Sequence, residues 1–167
     1  CHPRLSPRDL KEDPMPRLLS SAPITALVYA DSAHAAVMMR RLVTAAVAAG
    51  ASDQGYVQYD LMKPGRSRCD MVLENIATGY QRAISEDRGP GARGCQLDVD
   101  CLATAMVDLQ DGLTEATDLL VLNKFGKSEA EGGGFRPLIA HALDRGIPVV
   151  LGVAWRNIEA WRAYAGD

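Results

Sequence analysis

Residues 118–122 read "DLLVL", and after Asp118 every side chain is apolar, with no polar residue interleaved. A strand with one wet face alternates apolar and polar residues, whereas a strand covered on both faces reads as an unbroken apolar run. A second run, "IPVVLGVAW", occupies residues 147–155 after one helix-length of sequence. Two doubly covered strands joined through a helix predict a parallel sheet, since parallel neighbours need a crossover connection. That pair of runs constrains the fold more than any other feature.

The flanking sequence supplies the rest of the alternation. "ITALVYA" (24–30) predicts a strand by its length and β-branched content. "DSAHAAVMMRRLVTAAVAAG" predicts a helix with Asp31 or Ser32 as N-cap and Gly50 as its stop. Val37, Met38, Leu42, Val43 and Val47 recur at three- and four-residue spacing and predict its buried face. "GYVQYD" (55–60) predicts a second strand, and "CDMVLEN" with "YQRAISE" a hairpin turning at "IATG". "LDVDCLATAMVDLQDGL" predicts a helix burying Leu102, Met106 and Leu109. "FRPLIAHALDRG" predicts another, with Pro137 in its first turn and Gly146 as its stop. "NIEAWRAYAG" closes the chain as a helix. The expected fold class is α/β, a three-layer sandwich with a mostly parallel sheet.

The expected domain runs from residue 23 to 167. Residues 1–22 hold four prolines and many charges without periodicity, and predict an extension outside the fold. At 167 residues the chain suffices for one domain with a real core. Its net charge of −3 argues against nucleic acid as a partner, because a phosphate-reading surface leaves a basic excess. No apolar run approaches the roughly 20 residues that span a bilayer, so no membrane span is expected. No secretory leader is read, and the expected location is the cytoplasm. Cys1, Cys69, Cys95 and Cys101 form no CxxC pair, so the usual zinc and redox spacings are absent. They read as reduced thiols, with a Cys69–Cys95 contact left open.

In α/β sheets ligands bind beyond the carboxyl ends of the strands. One such end is "NKFGKSEAEGGGF", residues 123–135. Gly132, Gly133 and Gly134 precede a helix, where free N–H groups and the helix dipole favour an anion. Lys124 and Lys127 add positive charge. Glu129 and Glu131 oppose it unless they pair with those lysines or Arg136, or hold a metal. A second glycine-rich loop, "RGPGARGCQLD", offers Arg93, Gly94 and Cys95 as a further anion-binding nest. The competing reading of both loops is a solvated turn with compensating charges. Ser32 and His34 open the first helix beside the same end of the sheet, His34 reading as a capping or surface residue.

A P-loop would place GxxxxGK followed by Ser or Thr between the first strand and helix. That position reads "ADSAHAAVMMRR", with neither glycine nor lysine in register. A strand that holds Mg²⁺ should end in an acid, and "DLLVL" ends in Asn123 and Lys124. Ordinary Mg-nucleotide hydrolysis is therefore not expected.

The order of elements and "NKFGKSEAEGGGF" resemble the small P-loop nucleoside triphosphatases first described from thermophiles. In that family the corresponding strand ends in D-E-I/V-G-K/P-M-E, with a Phe a few residues on. Gly126, Lys127, Glu129 and Phe135 match, while Asn123 and Lys124 stand in place of the two acids. A nearer resemblance is to an uncharacterised bacterial domain family, a degenerate offshoot with an NKFGKxExxGGG loop and a GCxLD element like residues 94–98. The resemblance covers Ile24 to the C-terminus. It implies a P-loop-NTPase-like fold with degenerate Walker motifs and a β-hairpin insertion, and a site at the same end of the sheet. Members of that family occur beside molybdate-uptake genes, which implies an oxyanion such as molybdate as a ligand.

Three functions follow as expectations. The first is a non-hydrolysing protein that binds a small anion or nucleotide, with Lys124, Lys127 and Arg93 neutralising it and Asn123 donating a hydrogen bond. The second is a residual nucleotide phosphohydrolase using Glu129 or Glu131 for a metal. The third is an interaction protein that assembles as a homo-oligomer.

Overall fold

The computed structural model describes residues 22–62, 69–86 and 96–166. Eight strands run through them: β1 (Ile24–Tyr29), β2 (Asp53–Met62), β3 (Cys69–Asn75), β4 (Gln81–Ala83), β5 (Ser85–Glu86), β6 (Gln96–Leu97), β7 (Leu119–Phe125) and β8 (Val149–Ala154). The helices are α1 (Ser32–Ala48), α2 (Val99–Gly112), the single turn α3 (Lys127–Ala130), α4 (Arg136–Asp144) and α5 (Ile158–Ala165). Among the described residues the main sheet has the order β1-β8-β7-β2-β3-β4. Strands β1, β8, β7 and β2 pair in parallel, and β3 and β4 add antiparallel on one side. This is the expected α/β sandwich with its mostly parallel sheet and hairpin.

The apolar runs lie where their composition requires. β7 and β8 are the inner strands, and each sends alternate residues to opposite faces. Leu120, Leu122, Val149, Leu151 and Val153 pack with α2, α4 and α5. Leu119, Val121 and Val150 pack with Ala36, Met39 and Ala46 of α1 on the other face. Burying apolar side chains of this size stabilises the fold by about 1.5–3 kcal/mol each. The two strands β2 and β7 approach closely at Gly55, where φ is +143° and a Cβ would lie 1.8 Å from the Val121 carbonyl oxygen. Only glycine fits there.

α1 departs from expectation in the face it buries. Asp31 is its N-cap, accepting from the Ala33 N–H at 2.8 Å, and Gly50 follows its end at φ +89°. Yet Ala35, Ala36, Met39 and Ala46 face the sheet, while Val37, Met38 and Val47 are 52%, 47% and 56% exposed. Leu42 and Val43 are half-buried at the margin. The small residues let the helix lie close to the sheet, so fit rather than side-chain size sets its rotation. A bidentate Arg40–Glu74 pair, both contacts 2.8 Å, ties the helix to β3, and the Arg40 guanidinium stacks 5.3 Å from the Tyr59 ring.

β7 also runs further than "DLLVL" predicts. It continues through Asn123, Lys124 and Phe125, with an irregular register against β8 beyond Leu122. Phe125 is fully buried and meets the Trp161 ring edge-on at 5.3 Å. Asn123 therefore lies within the sheet rather than in a loop. Arg93, Gly94 and Cys95, and with Cys95 the Cys69–Cys95 contact, fall outside the described residues. Residues 1–21 do as well. Among the described residues no helix is long and apolar enough to cross a membrane.

At the amino-terminal edge of the sheet, Asp53 opens β2 with only 8% exposure and no hydrogen-bond partner on either carboxylate oxygen. Burial, reinforced by the Asp118 charge, raises its pKa from 3.8 to about 6. A raised carboxyl pKa means the folded state binds the proton more tightly than the unfolded chain. Its stabilising contribution is complete below about pH 4 and is lost as pH rises through about 6. Asp53→Asn should raise Tm by a few degrees at pH 8, on the order of 2 kcal/mol, and lose that advantage at pH 4. Thermal melts of both proteins across pH 4–8 check this.

Candidate functional site

The parallel strands deliver their carboxyl ends to one edge of the sheet, next to the amino-terminus of α1. A cavity of about 260 Å³ opens there. β7 contributes Asn123 and Lys124, and the first turn of α1 contributes Ser32 and Ala33. Tyr29 of β1 and Gln58, Tyr59 and Asp60 of β2 complete the wall. The sequence reading had named Asn123, Lys124 and Ser32, and the fold brings these three together. It had missed Tyr29, Gln58 and Asp60, although "VYA" and "VQYD" were already read as strand ends.

A second cavity of about 370 Å³ adjoins it, sharing Gln58 and Lys124. Met71, Leu97, Leu102 and Phe135 line it together with Gly126, Lys127, Ser128 and Glu129. Lys124 thus stands between the two cavities.

The glycine triplet does a different job from the one its composition suggests. Gly133 N–H donates to the Ser128 carbonyl at 2.8 Å and Gly132 N–H to the Glu129 carbonyl at 3.2 Å. Those two donors are consumed inside the loop, and none of the three glycines lines either cavity. The reason for Gly134 is steric. Its φ is +59°, and a Cβ would lie 2.0 Å from Glu129 Oε1. The turn is built around that carboxylate.

Glu129 is 5% exposed and accepts the Gly126 N–H at 2.8 Å and the Phe135 N–H at 3.0 Å. Both oxygens are thus occupied by backbone donors, which compensates its burial. The Arg136 side chain donates to the Glu129 carbonyl and stacks 4.5 Å from the Tyr164 ring. Asn157 donates to the Phe125 carbonyl at 3.1 Å. Lys127 lines the second cavity but lies 3.7 Å from Glu131 with its side chain largely exposed, so Lys124 is the lysine shared by both cavities and Lys127 is a compensated one at the surface. Among the described residues no group of three or more His, Cys, Asp or Glu side chains could hold a metal. His34 caps nothing deep; its ring nitrogen sits 3.3 Å from Asp31 on the surface.

Asn123 reverses the polarity expected of it. Its Nδ2 donates to the Gln58 carbonyl at 3.0 Å, which fixes the amide orientation. The Oδ1 atom is then left buried and without a partner. The residue expected to donate to an anion therefore brings an acceptor. Beside it β8 carries Gly152, where a Cβ would fall 2.6 Å from that oxygen. The Tyr29 hydroxyl nearby stays protonated, its pKa raised by burial and only partly held down by Arg156.

The chain is an α/β domain with a mostly parallel sheet, and its two cavities lie at the carboxyl edge, where such sheets take their ligands. The chain belongs to the family described as "Protein of unknown function (DUF2478)", whose model matches residues 24–167. It is also 32% identical over 143 residues to the molybdenum import ATP-binding protein ModC 2 of Bradyrhizobium diazoefficiens. That match covers 86% of this chain and 16% of the length of the longer protein. No solved structure matches the chain.

Glu129→Gln replaces one accepting oxygen by an amide that meets a backbone N–H head-on. It should destabilise the protein by about 2 kcal/mol, read as a lower urea midpoint in buffer containing EDTA. An unchanged midpoint there would mean that Glu129 does not brace the turn.

Proposed function

We propose that this protein holds a tetrahedral oxyanion, free or as the phosphate of a nucleotide, in the cavity between β1, β2 and β7 without hydrolysing it. The observation that carries this reading is Lys124 in a cavity with Ser32 and Gln58, beside the first turn of a 17-residue helix, with Asn123 where a metal-holding acid would be needed. Lys124 suits an anion's acceptors, and β7 offers no carboxylate to bring in Mg²⁺, Asp60 of the neighbouring β2 being the acid in the lining. The adjoining cavity, with Met71, Leu97, Leu102 and Phe135 in its lining, gives a nucleoside room beyond the phosphate. Ser32 adds a hydroxyl donor from the first turn of α1.

The relative's name supplies a context. A region like this chain forms part of a longer molybdenum import ATP-binding protein. The chain is accordingly read as a module that serves an ATP-driven oxyanion importer, with molybdate among the anions to be tried. A second reading, assembly as a homo-oligomer, draws on the exposed Val37, Met38 and Val47 of α1.

Thermal melts with molybdate, tungstate, phosphate, sulfate, ATP and GTP, each with and without Mg²⁺, test the binding reading. A ligand that binds only the folded state raises Tm by mass action. The expected result is a metal-independent rise with at least one oxyanion or nucleotide, reduced at least tenfold in apparent affinity in Lys124→Ala. Stabilisation that requires Mg²⁺, with release of inorganic phosphate, would replace it by the enzyme.

A further inference from the structure

Two atoms decide which anion the cavity suits, and both belong to Asn123. Its Nδ2 is committed to the Gln58 carbonyl, so the amide cannot turn over without setting two carbonyl oxygens against each other. Its Oδ1 remains buried, unpartnered and able only to accept. Asn123 is 5% exposed and lines the cavity beside the amino-terminus of α1.

The neighbouring backbone is shaped to keep that oxygen in place. Gly152 sits in the middle of a fully buried strand, where glycine is normally disfavoured. Any side chain at 152 would collide with Oδ1, at 2.6 Å for a Cβ alone. The glycine is thus explained by the amide oxygen it accommodates. Asp60 on the same wall is a second group that prefers a donor.

A buried acceptor with no donor destabilises its surroundings until a donor reaches it. Sulfate and molybdate near neutral pH carry no proton and present acceptors alone. Hydrogen phosphate and the phosphate group of a nucleotide in its protonated form carry one O–H beside their acceptor oxygens. Lys124 and Ser32 can serve the acceptor oxygens, and Asn123 Oδ1 the O–H.

We infer that Asn123 is a specificity-determining acceptor, and that the cavity selects a phosphate group bearing a proton over fully deprotonated tetrahedral oxyanions. This rests on the oxyanion-binding reading above and narrows its ligand class.

The test is titration calorimetry of the full chain at pH 7 with inorganic phosphate, AMP, sulfate and molybdate. Phosphate or AMP should bind roughly tenfold to a hundredfold more tightly than sulfate and molybdate. Tighter binding of phosphate than AMP identifies the free ion as the ligand, and the reverse order a nucleotide. Asn123→Leu keeps the volume and removes the acceptor, and should bring phosphate and sulfate to equal affinity while anion binding through Lys124 persists. Sulfate or molybdate binding as well as phosphate to the unaltered protein overturns the inference and leaves the oxyanion reading standing. Binding of none of the four overturns both. The comparison among anions in the unaltered protein needs no variant, so it decides the matter even where Asn123→Leu does not fold.

Discussion

The Glu129 carboxylate holds the corner on which the candidate site rests. It lies under the end of β7, and its two oxygens accept the N–H groups of Gly126 and Phe135, nine residues apart in the chain. Those contacts fix where β7 stops and where α4 begins. A buried carboxylate is tolerated only with such donors, since an uncompensated one would lose several kcal/mol of hydration. Gly134 exists to make room for it, and Arg136 closes over its carbonyl. With the corner fixed, Lys124 stays between the two cavities and Phe125 stays locked against Trp161 and Tyr164.

The same corner explains a division of labour within one short stretch. Asn123 and Lys124 at the end of β7 line the first cavity, and the residues after Gly126 build the turn. In a loop that carries lysines, glutamates and glycines together, composition suggests that all of them face one ligand. The fold instead gives them different tasks: Asn123 and Lys124 line the first cavity, Glu129 and Gly134 build the brace, and Lys127 pairs with Glu131 beside the second.

The layered sheet was legible because doubly buried parallel strands leave an unmistakable unbroken apolar run, and β7 and β8 both carry one. The helices were legible from their periodicity and, for two of them, from Asp31 and the glycines at 50 and 146 that bound them. Two things were not. The buried face of α1 was misplaced because periodicity weights large side chains, while close helix–sheet contact selected Ala35, Ala36 and Ala46. The role of Asn123 was inverted because a side-chain amide has a donor and an acceptor, and only the Gln58 carbonyl, 65 positions away, decides which one is spent. Gly152 within "VVLGVA" was the available signal, since a lone glycine in a buried strand marks something approaching closely.

Among the described residues, the buried side-chain atoms left without hydrogen bonds belong to two groups, at opposite edges of the sheet. They differ in how that deficit can be met. Asp53 can take up a proton, and its pKa of about 6 shows the fold pushing it that way. Its deficit therefore belongs to stability and varies with pH. The Asn123 amide does not titrate, so no change of solvent proton activity can satisfy its oxygen. Only a donor brought from outside can, and the cavity it lines is where a donor would arrive. An unmet acceptor that cannot neutralise itself, kept clear by a glycine in a buried strand, is a feature of recognition rather than of folding.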